Sequence, residues 1–198
     1  MTKHRVGIIG LGIMGRRMVV NFDKHLCFEI AAVWDPSEQS VSKTKIADPA
    51  VPFSNGPEKL ILQEKIDLLY IACPPEFHKK YALMAMEQGI PVYLEKPLGV
   101  DISDSKELVN ELKRSKTPNI VNFVQASCEA LEITQDELRS GHAGDITSID
   151  IIMQYQQWPR SWQVEADWLR FKSAGGYTRE VLSPVSYTHL RAHETFGY

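Results

Sequence analysis

Three glycines near the start of the chain, Gly10, Gly12 and Gly15, have the spacing of a phosphate-binding loop. They follow the short apolar run VGII, which predicts a buried strand, and they precede a run with helical spacing. In such a loop the first glycine permits a tight turn, the second lets a pyrophosphate approach the backbone, and the third lets helix and strand pack closely. The N–H groups at the start of the helix, including those of Ile13 and Met14, would then attract the phosphates.

Asp35 supplies a second part of this chemistry, because it ends the next apolar run, FEIAAVW, about 20 residues after the last glycine. A carboxylate at that position accepts hydrogen bonds from the hydroxyls of an adenosine ribose and repels a ribose 2′-phosphate. The pattern therefore favours NAD over NADP as the bound cofactor. Arg16 and Arg17 could soften this preference, although a solvent-facing position on the helix is the simpler interpretation.

Two further strand ends, in the segments ACPPEFH and YLEKPLG, should meet the same crevice, since ligands of open α/β sheets bind at the carboxyl ends of the strands. In the first segment, Cys73 and Pro74 stand where a nicotinamide ribose would pass. His78 is either part of this site or a capping or surface histidine. In the second segment, Glu95 and Lys96 end a buried strand, where a charged pair is costly unless it is used or well paired. A lysine there could move a proton to or from a substrate hydroxyl, and a structural ion pair is the alternative.

The runs that carry these residues alternate between buried strands and amphipathic helices over residues 1–122. IDLLYIAC, PVYLE and NIVNFVQA predict strands, while HKKYALMAMEQG and SDSKELVNELKRS predict helices. This alternation predicts an α/β domain with a doubly wound parallel sheet. In residues 123–183, DITSIDIIMQYQQW follows a helical run and alternates apolar with polar positions, which is typical of a sheet with one wet face. That part predicts the beginning of an α+β domain with an open, mainly antiparallel sheet.

The composition is typical of a globular protein in water, since 43% of the 198 residues are hydrophobic and 24% are charged. The formal net charge is -3 and no basic cluster is present, so no nucleic-acid partner is predicted. No apolar run reaches about 18 residues and the first residues contain no signal segment, so we expect a cytoplasmic protein without a membrane partner. Cys27, Cys73 and Cys128 are too widely spaced to form ligand pairs, so we expect buried thiols and no metal site.

The GxGxxG loop, the strand ending in aspartate, PPEFH and above all EKP resemble the Gfo/Idh/MocA oxidoreductases, from Val6 to about Ser183. The resemblance implies a Rossmann domain followed by an α/β domain whose open sheet lines the substrate pocket and often forms the interface of a homo-oligomer. It also implies NAD(P)-dependent hydride transfer at a hydroxyl-bearing carbon of a sugar, polyol or related small molecule. A non-catalytic nucleotide-binding module for sensing or assembly is the alternative on the same fold.

By the same resemblance, Lys96 would bind the reacting hydroxyl and the nicotinamide ribose, Glu95 would contact the cofactor, and Pro97 would be a cis proline. GGYTREVLS resembles a glycine-rich segment of the family in which an acidic residue, here Glu180, is followed four positions later by a catalytic histidine. The predicted catalytic residues are Lys96 and Glu180, and the predicted cofactor-binding residues are Gly10, Gly12, Ile13, Met14, Gly15, Asp35, Cys73, Pro74, His78, Glu95 and Lys96.

Two departures from the family pattern limit the analogy. Many members carry an Asn-Arg pair where this chain has Val124 and Gln125, which leaves the substrate open. The position of the expected histidine holds Pro184.

The last residues raise a separate question, because His189, His193 and Glu194 have the spacing of a zinc site on a helix. However, residues 185–195, VSYTHLRAHET, match at every position the translation of a transposon-type sequencing adapter. The same reading frame takes the last two bases of codon 184 from the adapter, and histidine codons begin with C, as proline codons do. We therefore expect residues 184–198 to be adapter-derived, the natural protein to have histidine at 184 and to continue, and this fragment to be inactive. A natural helix with a histidine pair is the alternative.

Overall fold

The computed structural model describes residues 2–124, 128–148, 150, 152, 154–158, 160–164, 166–174, 176, 179 and 181. The strands are β1 (His4–Ile9), β2 (Phe28–Trp34), β3 (Leu68–Ile71), β4 (Val92–Glu95) and β5 (Asn119–Asn122). The helices are α1 (Ile13–Lys24), α2 (Glu38–Ala47), α3 (Pro57–Gln63), α4 (His78–Glu87), α5 (Ile102–Ser115) and α6 (Glu129–Arg139). Short 3₁₀ turns cover Pro75–Phe77, Ser161–Gln163, Asp167–Arg170 and Lys172–Ala174.

The strands form one sheet in the order β2-β1-β3-β4-β5, and all neighbouring strands are parallel. A bridge between Val33 and Phe53 continues the sheet beyond β2. The strand order reverses between β1 and β3, so a crevice opens there outside the carboxyl ends of the strands. The predicted doubly wound parallel sheet is therefore confirmed.

The inner strands β1, β3 and β4 are largely buried on both faces of the sheet, as their apolar runs require. Asn119 and Ile120 of the edge strand β5 are exposed. On one face, Ile9 and Leu94 pack with residues of α3, α4 and α5. On the other face, Ile8 and Tyr70 pack with Phe22 of α1. Each fully buried large side chain contributes about 1.5–3 kcal/mol to folding, so these two clusters hold the strand ends in place.

Two helices, α2 and α3, have no counterpart in the sequence predictions. The buried residue of α2 is Thr44, so apolar periodicity does not mark this helix. It begins after Ser37, whose hydroxyl accepts a hydrogen bond from the N–H of Ser40. Helix α3 has 7 residues and starts with Pro57, which is too short for a helical period to be recognised.

After β5, the helix predicted from EALEITQDELRSG is confirmed as α6, and Gly141 behind it has a φ of 76°. The described residues of the segment 145–158 form no strand, while Ile149, Ile151 and Met153 lie outside the described residues. The antiparallel sheet and the domain limits at residues 122 and 183 therefore stay predictions. Residues 184–198, with the histidine pair, also lie outside the described residues.

The structure corrects the expectation for two cysteines. Cys27 lies exposed in the turn before β2, Cys128 lies exposed just before α6, and Cys73 is partly exposed. Buried thiols were therefore the wrong prediction for Cys27 and Cys128. In the described part of the chain, no group of three or more His, Cys, Asp and Glu side chains could hold a metal ion. The described helices include none long and apolar enough to cross a membrane.

Candidate functional site

The three glycines of the loop after β1 have three different surroundings. A Cβ atom on Gly10, whose φ is +97°, would lie 2.4 Å from the backbone nitrogen of Cys73. A Cβ atom on Gly15 would lie 1.8 Å from the carbonyl oxygen of Gly10, because α1 packs directly on the loop. A Cβ atom on Gly12 would meet nothing within 4 Å. Gly12 therefore borders open space that a ligand can occupy.

The N-terminus of α1 lies at this open space, because the helix starts directly after Gly12 and no side chain caps it. The N–H of Arg16 bonds to the Gly12 carbonyl at 3.0 Å. The N–H groups of Ile13 and Met14 precede it at the positive end of the helix dipole, where an anion binds favourably. The Nη1 of Arg16 donates to the Leu11 carbonyl at 2.8 Å, so this side chain braces the loop.

Asp35 lies against the same loop, at the end of β2. Its Oδ2 accepts a hydrogen bond from the N–H of Leu11 at 2.6 Å, and its Oδ1 accepts one from the N–H of Ser37 at 2.7 Å. These bonds fix the carboxylate beside the glycine loop. Each carboxylate oxygen has a second lone pair, so the group can also accept hydrogen bonds from a ligand.

The residues after β3 form the other side of the crevice. Cys73 is partly exposed and Pro74 is exposed. Burial raises the pKa of the Cys73 thiol to about 12, so the thiol is protonated at neutral pH. Cys73 can therefore offer a ligand its backbone and a neutral side chain, but no thiolate nucleophile.

His78 is fully buried, with a relative exposure of 0%. Its Nε2–H donates to the carbonyl of Cys73 at 2.9 Å. Burial lowers the pKa of the ring to about 4, and the backbone groups of Cys73, Leu98 and Pro97 partly offset this effect. The neutral ring thus lies between the loops after β3 and β4. The interpretation of His78 as a surface histidine is wrong, whereas its backbone N–H does cap the Pro75–Phe77 turn by donating to the Pro75 carbonyl. Its burial favours support of the two loops over direct contact with a ligand.

We expect the buried ring of His78 to make the protein less stable in mild acid. The ring has a pKa of about 4 when folded and 6.5 when unfolded, so between these values the unfolded chain binds a proton that the folded chain does not. The stabilisation is therefore complete above pH 6.5, and the free energy of unfolding should be about 2 kcal/mol lower at pH 5. Urea unfolding at pH 7 and pH 5 measures this difference. A His78→Gln variant should lose less stability between the two pH values, and an identical loss in both proteins would contradict the assignment.

Glu95, Lys96 and Pro97 follow one another at the end of β4. The peptide bond between Lys96 and Pro97 is cis, as the family resemblance implies. Lys96 is partly exposed at the crevice edge of the sheet. Glu95 is only 5% exposed, and its Oε1 accepts hydrogen bonds from the hydroxyl of Tyr70 and from the amide of Asn122. The carboxylate is therefore held inside the protein by neutral donors.

Tyr70 and Asn122 join the candidate site through their hydrogen bonds to Glu95, and the sequence predictions do not include them. They are 25 and 27 residues away from Glu95 in the chain. Strand register brings them together, because Glu95 pairs with Asn122 across β4 and β5, and Tyr70 pairs with Tyr93 across β3 and β4. The signal that could have indicated them is a polar side chain within a predicted strand. Such a side chain is costly to bury unless it is hydrogen-bonded.

The strand order places the described residues of the predicted site along one edge of the sheet. Asp35 follows β2, Gly10 follows β1, Cys73 follows β3 and Lys96 follows β4. Glu180, Gln125 and Pro184 lie outside the described residues. Arg179, next to Glu180 in the chain, is described, and its Nη1 donates to the carbonyl of Gly99 at 3.3 Å.

The chain is similar in sequence to several known oxidoreductases. The chain is 26% identical to the rhizopine catabolism protein MocA of Rhizobium meliloti over 146 residues, which are 74% of this chain and 45% of that protein. It is 26% identical to an inositol 2-dehydrogenase of Corynebacterium glutamicum (strain R) over 144 residues, which are 72% of this chain and 43% of that protein. The chain thus spans less than half the length of these two relatives.

The fold is also that of a scyllo-inositol dehydrogenase from Lactobacillus casei, solved with bound NAD(H) and scyllo-inositol. The TM-score is 0.67 at 22% identity, and the match covers 74% of this chain and 44% of that one. Residues 4–123, the whole doubly wound sheet with its glycine loop and EKP segment, match the family model described as an oxidoreductase family with an NAD-binding Rossmann fold. The chain therefore belongs to the Gfo/Idh/MocA oxidoreductase family.

Proposed function

We propose that this chain carries the cofactor-binding part of an oxidoreductase that moves a hydride between NAD and a hydroxyl-bearing carbon of a polyol or sugar. The observation that carries the proposal is the open space at Gly12, which lies at the uncapped N-terminus of α1. The Asp35 carboxylate lies on one side of it, bonded to the Leu11 N–H, and Lys96 lies further along the same edge.

The residues of the crevice fit NAD. The open space and the helix N-terminus suit a pyrophosphate, because N–H groups and the positive helix end meet there. The Asp35 carboxylate suits ribose hydroxyls and opposes a 2′-phosphate. The Arg16 side chain donates to the Leu11 carbonyl. Because this side chain is directed at the loop rather than at the position of a 2′-phosphate, the arrangement supports NAD over NADP.

Bound NAD supplies a hydride acceptor at C4 of its nicotinamide ring. The neutral amine of Lys96 would hold the reacting hydroxyl and take up its proton while the carbon gives up hydride. Glu180 would be the second catalytic side chain. The hydrogen bond from Arg179 to Gly99 supports this role, since it joins the neighbour of Glu180 to the loop that follows Lys96.

A polyol is the substrate class that the relatives support best. One relative is named an inositol 2-dehydrogenase, and the Lactobacillus casei protein was solved with scyllo-inositol. Both names describe oxidation of a secondary alcohol on a polyhydroxylated ring. The homo-oligomer implied by the family resemblance belongs to the same proposal.

Isothermal titration of the 198-residue chain with NAD and with NADP tests the cofactor half of the proposal. We expect NAD to bind with a dissociation constant below about 1 mM and NADP to bind more weakly. A folded chain that binds neither dinucleotide would refute the proposal.

Asp35→Ala should bind NAD about tenfold more weakly, because a hydrogen bond to a charged group contributes about 1.5–3 kcal/mol. Binding of NADP should weaken less or improve, since the carboxylate no longer repels the 2′-phosphate. Titration with both dinucleotides measures the change in their affinity ratio. Asp23→Ala, which removes an exposed carboxylate from α1, is the matched control and should leave the ratio unchanged. A parallel loss for both dinucleotides in Asp35→Ala would show that the residue only supports the Leu11 loop.

A further inference from the structure

A buried polar network lies beneath the loop after β4. It consists of Tyr70, Tyr93, Glu95 and Asn122 and is called the Glu95 network. The hydroxyl of Tyr70 and the Nδ2 of Asn122 both donate to Oε1 of Glu95, the latter at 2.7 Å. The hydroxyl of Tyr93 donates to Oδ1 of Asn122 at 2.8 Å. Two donors therefore converge on one carboxylate oxygen.

In both of these bonds the side chain of Glu95 is the acceptor. An ionised carboxylate only accepts hydrogen bonds, and it accepts them more strongly than a neutral oxygen does. The Tyr93 hydroxyl holds the amide oxygen of Asn122, which turns the NH₂ group of that amide toward Glu95. Burial and the nearby charge of Glu95 raise the pKa of Tyr70, so its hydroxyl stays protonated and remains a donor. The network therefore keeps a negative charge at a fixed position.

This charge lies at the edge of the sheet that carries the proposed site. Glu95 is the last residue of β4 and directly precedes Lys96. The ring of Tyr70 packs on Phe22 of α1, with 5.9 Å between ring centroids, so the network is on the same face of the sheet as α1. A dinucleotide in such a fold runs along the carboxyl ends of the strands, with its adenosine at the acid after β2. Its nicotinamide end would therefore come to β3 and β4, beside Glu95.

From this juxtaposition we propose that Tyr70 and Asn122 are positioning residues that hold Glu95 as a fixed anion, and that this anion makes the site prefer the oxidised cofactor to the reduced one. The inference rests on the proposed NAD-binding function and deepens it. The oxidised nicotinamide ring carries a positive charge and the reduced ring carries none, so a nearby anion stabilises the oxidised form alone. Such a preference suits a dehydrogenase that binds NAD⁺, oxidises an alcohol and releases NADH.

Titration of the 198-residue chain with NAD⁺ and with NADH, before and after substitution, tests this proposal. Glu95→Gln keeps the size of the side chain and removes its charge. We expect its NAD⁺ affinity to fall about tenfold and its NADH affinity to change less than about twofold, as for loss of one partly screened charge interaction. Tyr70→Phe removes one donor and should shift the same ratio in the same direction, by about threefold.

Tyr81→Phe is the matched control, because Tyr81 is a buried tyrosine in the core cluster on the opposite face of the sheet. It should leave the ratio of the two affinities unchanged. Equal losses for NAD⁺ and NADH in Glu95→Gln would overturn the proposal, as would unchanged affinities. If Glu95→Gln does not fold, the ratio of the NAD⁺ and NADH affinities of Tyr70→Phe tests the proposal instead. A wild-type chain that binds neither form would refute the proposed function and this inference together, whereas binding with an unaltered ratio in the variants refutes the inference alone.

Discussion

The Lys96→Ala variant should lose about 10²- to 10⁴-fold in turnover while it still binds NAD. In the proposed mechanism the neutral amine of the lysine holds the reacting hydroxyl and receives its proton, so its removal raises the barrier of the chemical step. The contacts proposed for the pyrophosphate and the adenosine ribose lie elsewhere, at Gly12 and Asp35. Reduction of NAD with inositols and other polyols, followed by nicotinamide absorbance, measures the turnover. The assay uses the full-length protein.

Lys106→Ala is the control for Lys96→Ala, because Lys106 is an exposed lysine on α5. It should retain full turnover. Undiminished turnover in Lys96→Ala would remove the lysine from the mechanism. A wild-type protein that binds NAD and oxidises no polyol or sugar would instead favour a non-catalytic nucleotide-binding module, the second interpretation of the sequence.

The inner strands β1, β3 and β4 were predictable because each is an apolar run that is largely buried on both faces of the sheet. Ile8, Ile9, Leu69 and Ile71, for example, are all 0% exposed. Helices α1 and α5 were predictable because their buried residues recur at helical spacing. Helix α2 was not, since it buries Thr44 and is positioned by its cap and by the crossover to the next strand. Its existence follows from the topology rather than from its own apolar pattern.

The residues of the site divide in the same way. Gly10, Asp35 and Lys96 were predictable because each carries a local signal: a glycine turn, an acid at a strand end, or a charged pair at a strand tip. The burial of His78 was not predictable, because it depends on the packing of the loop after β3 against the loop after β4, and these two loops are far apart in the chain. The donors to Glu95 were equally hidden, since strand register alone places Asn122 beside it. Local patterns therefore indicate candidate site residues at the strand ends, and tertiary structure is needed to find the residues that hold them in place.

Gly15→Ala should destabilise the protein by at least ~3 kcal/mol and abolish NAD binding at any temperature where it unfolds. The added Cβ atom would lie 1.8 Å from the carbonyl oxygen of Gly10 and 2.8 Å from its carbonyl carbon. Both are backbone atoms of the loop, so no side chain can rotate away to make room. Helix α1 would have to move off the sheet, and the packing of Val19 and Phe22 in the core would be lost with it. Urea unfolding of both proteins at pH 7 measures the difference.

Gly12→Ala is the matched control, and it separates folding from binding. A Cβ atom there meets nothing within 4 Å, and the backbone φ of -63° is one that alanine adopts readily. Its stability should therefore stay within about 1 kcal/mol of wild type. Its affinity for NAD should nevertheless fall at least about tenfold, because the methyl group occupies the space proposed for the pyrophosphate. Normal NAD binding by Gly12→Ala would show that the pyrophosphate does not bind at this loop. A Gly15→Ala variant as stable as wild type would show that α1 can shift away from Gly10 while the core packing is kept.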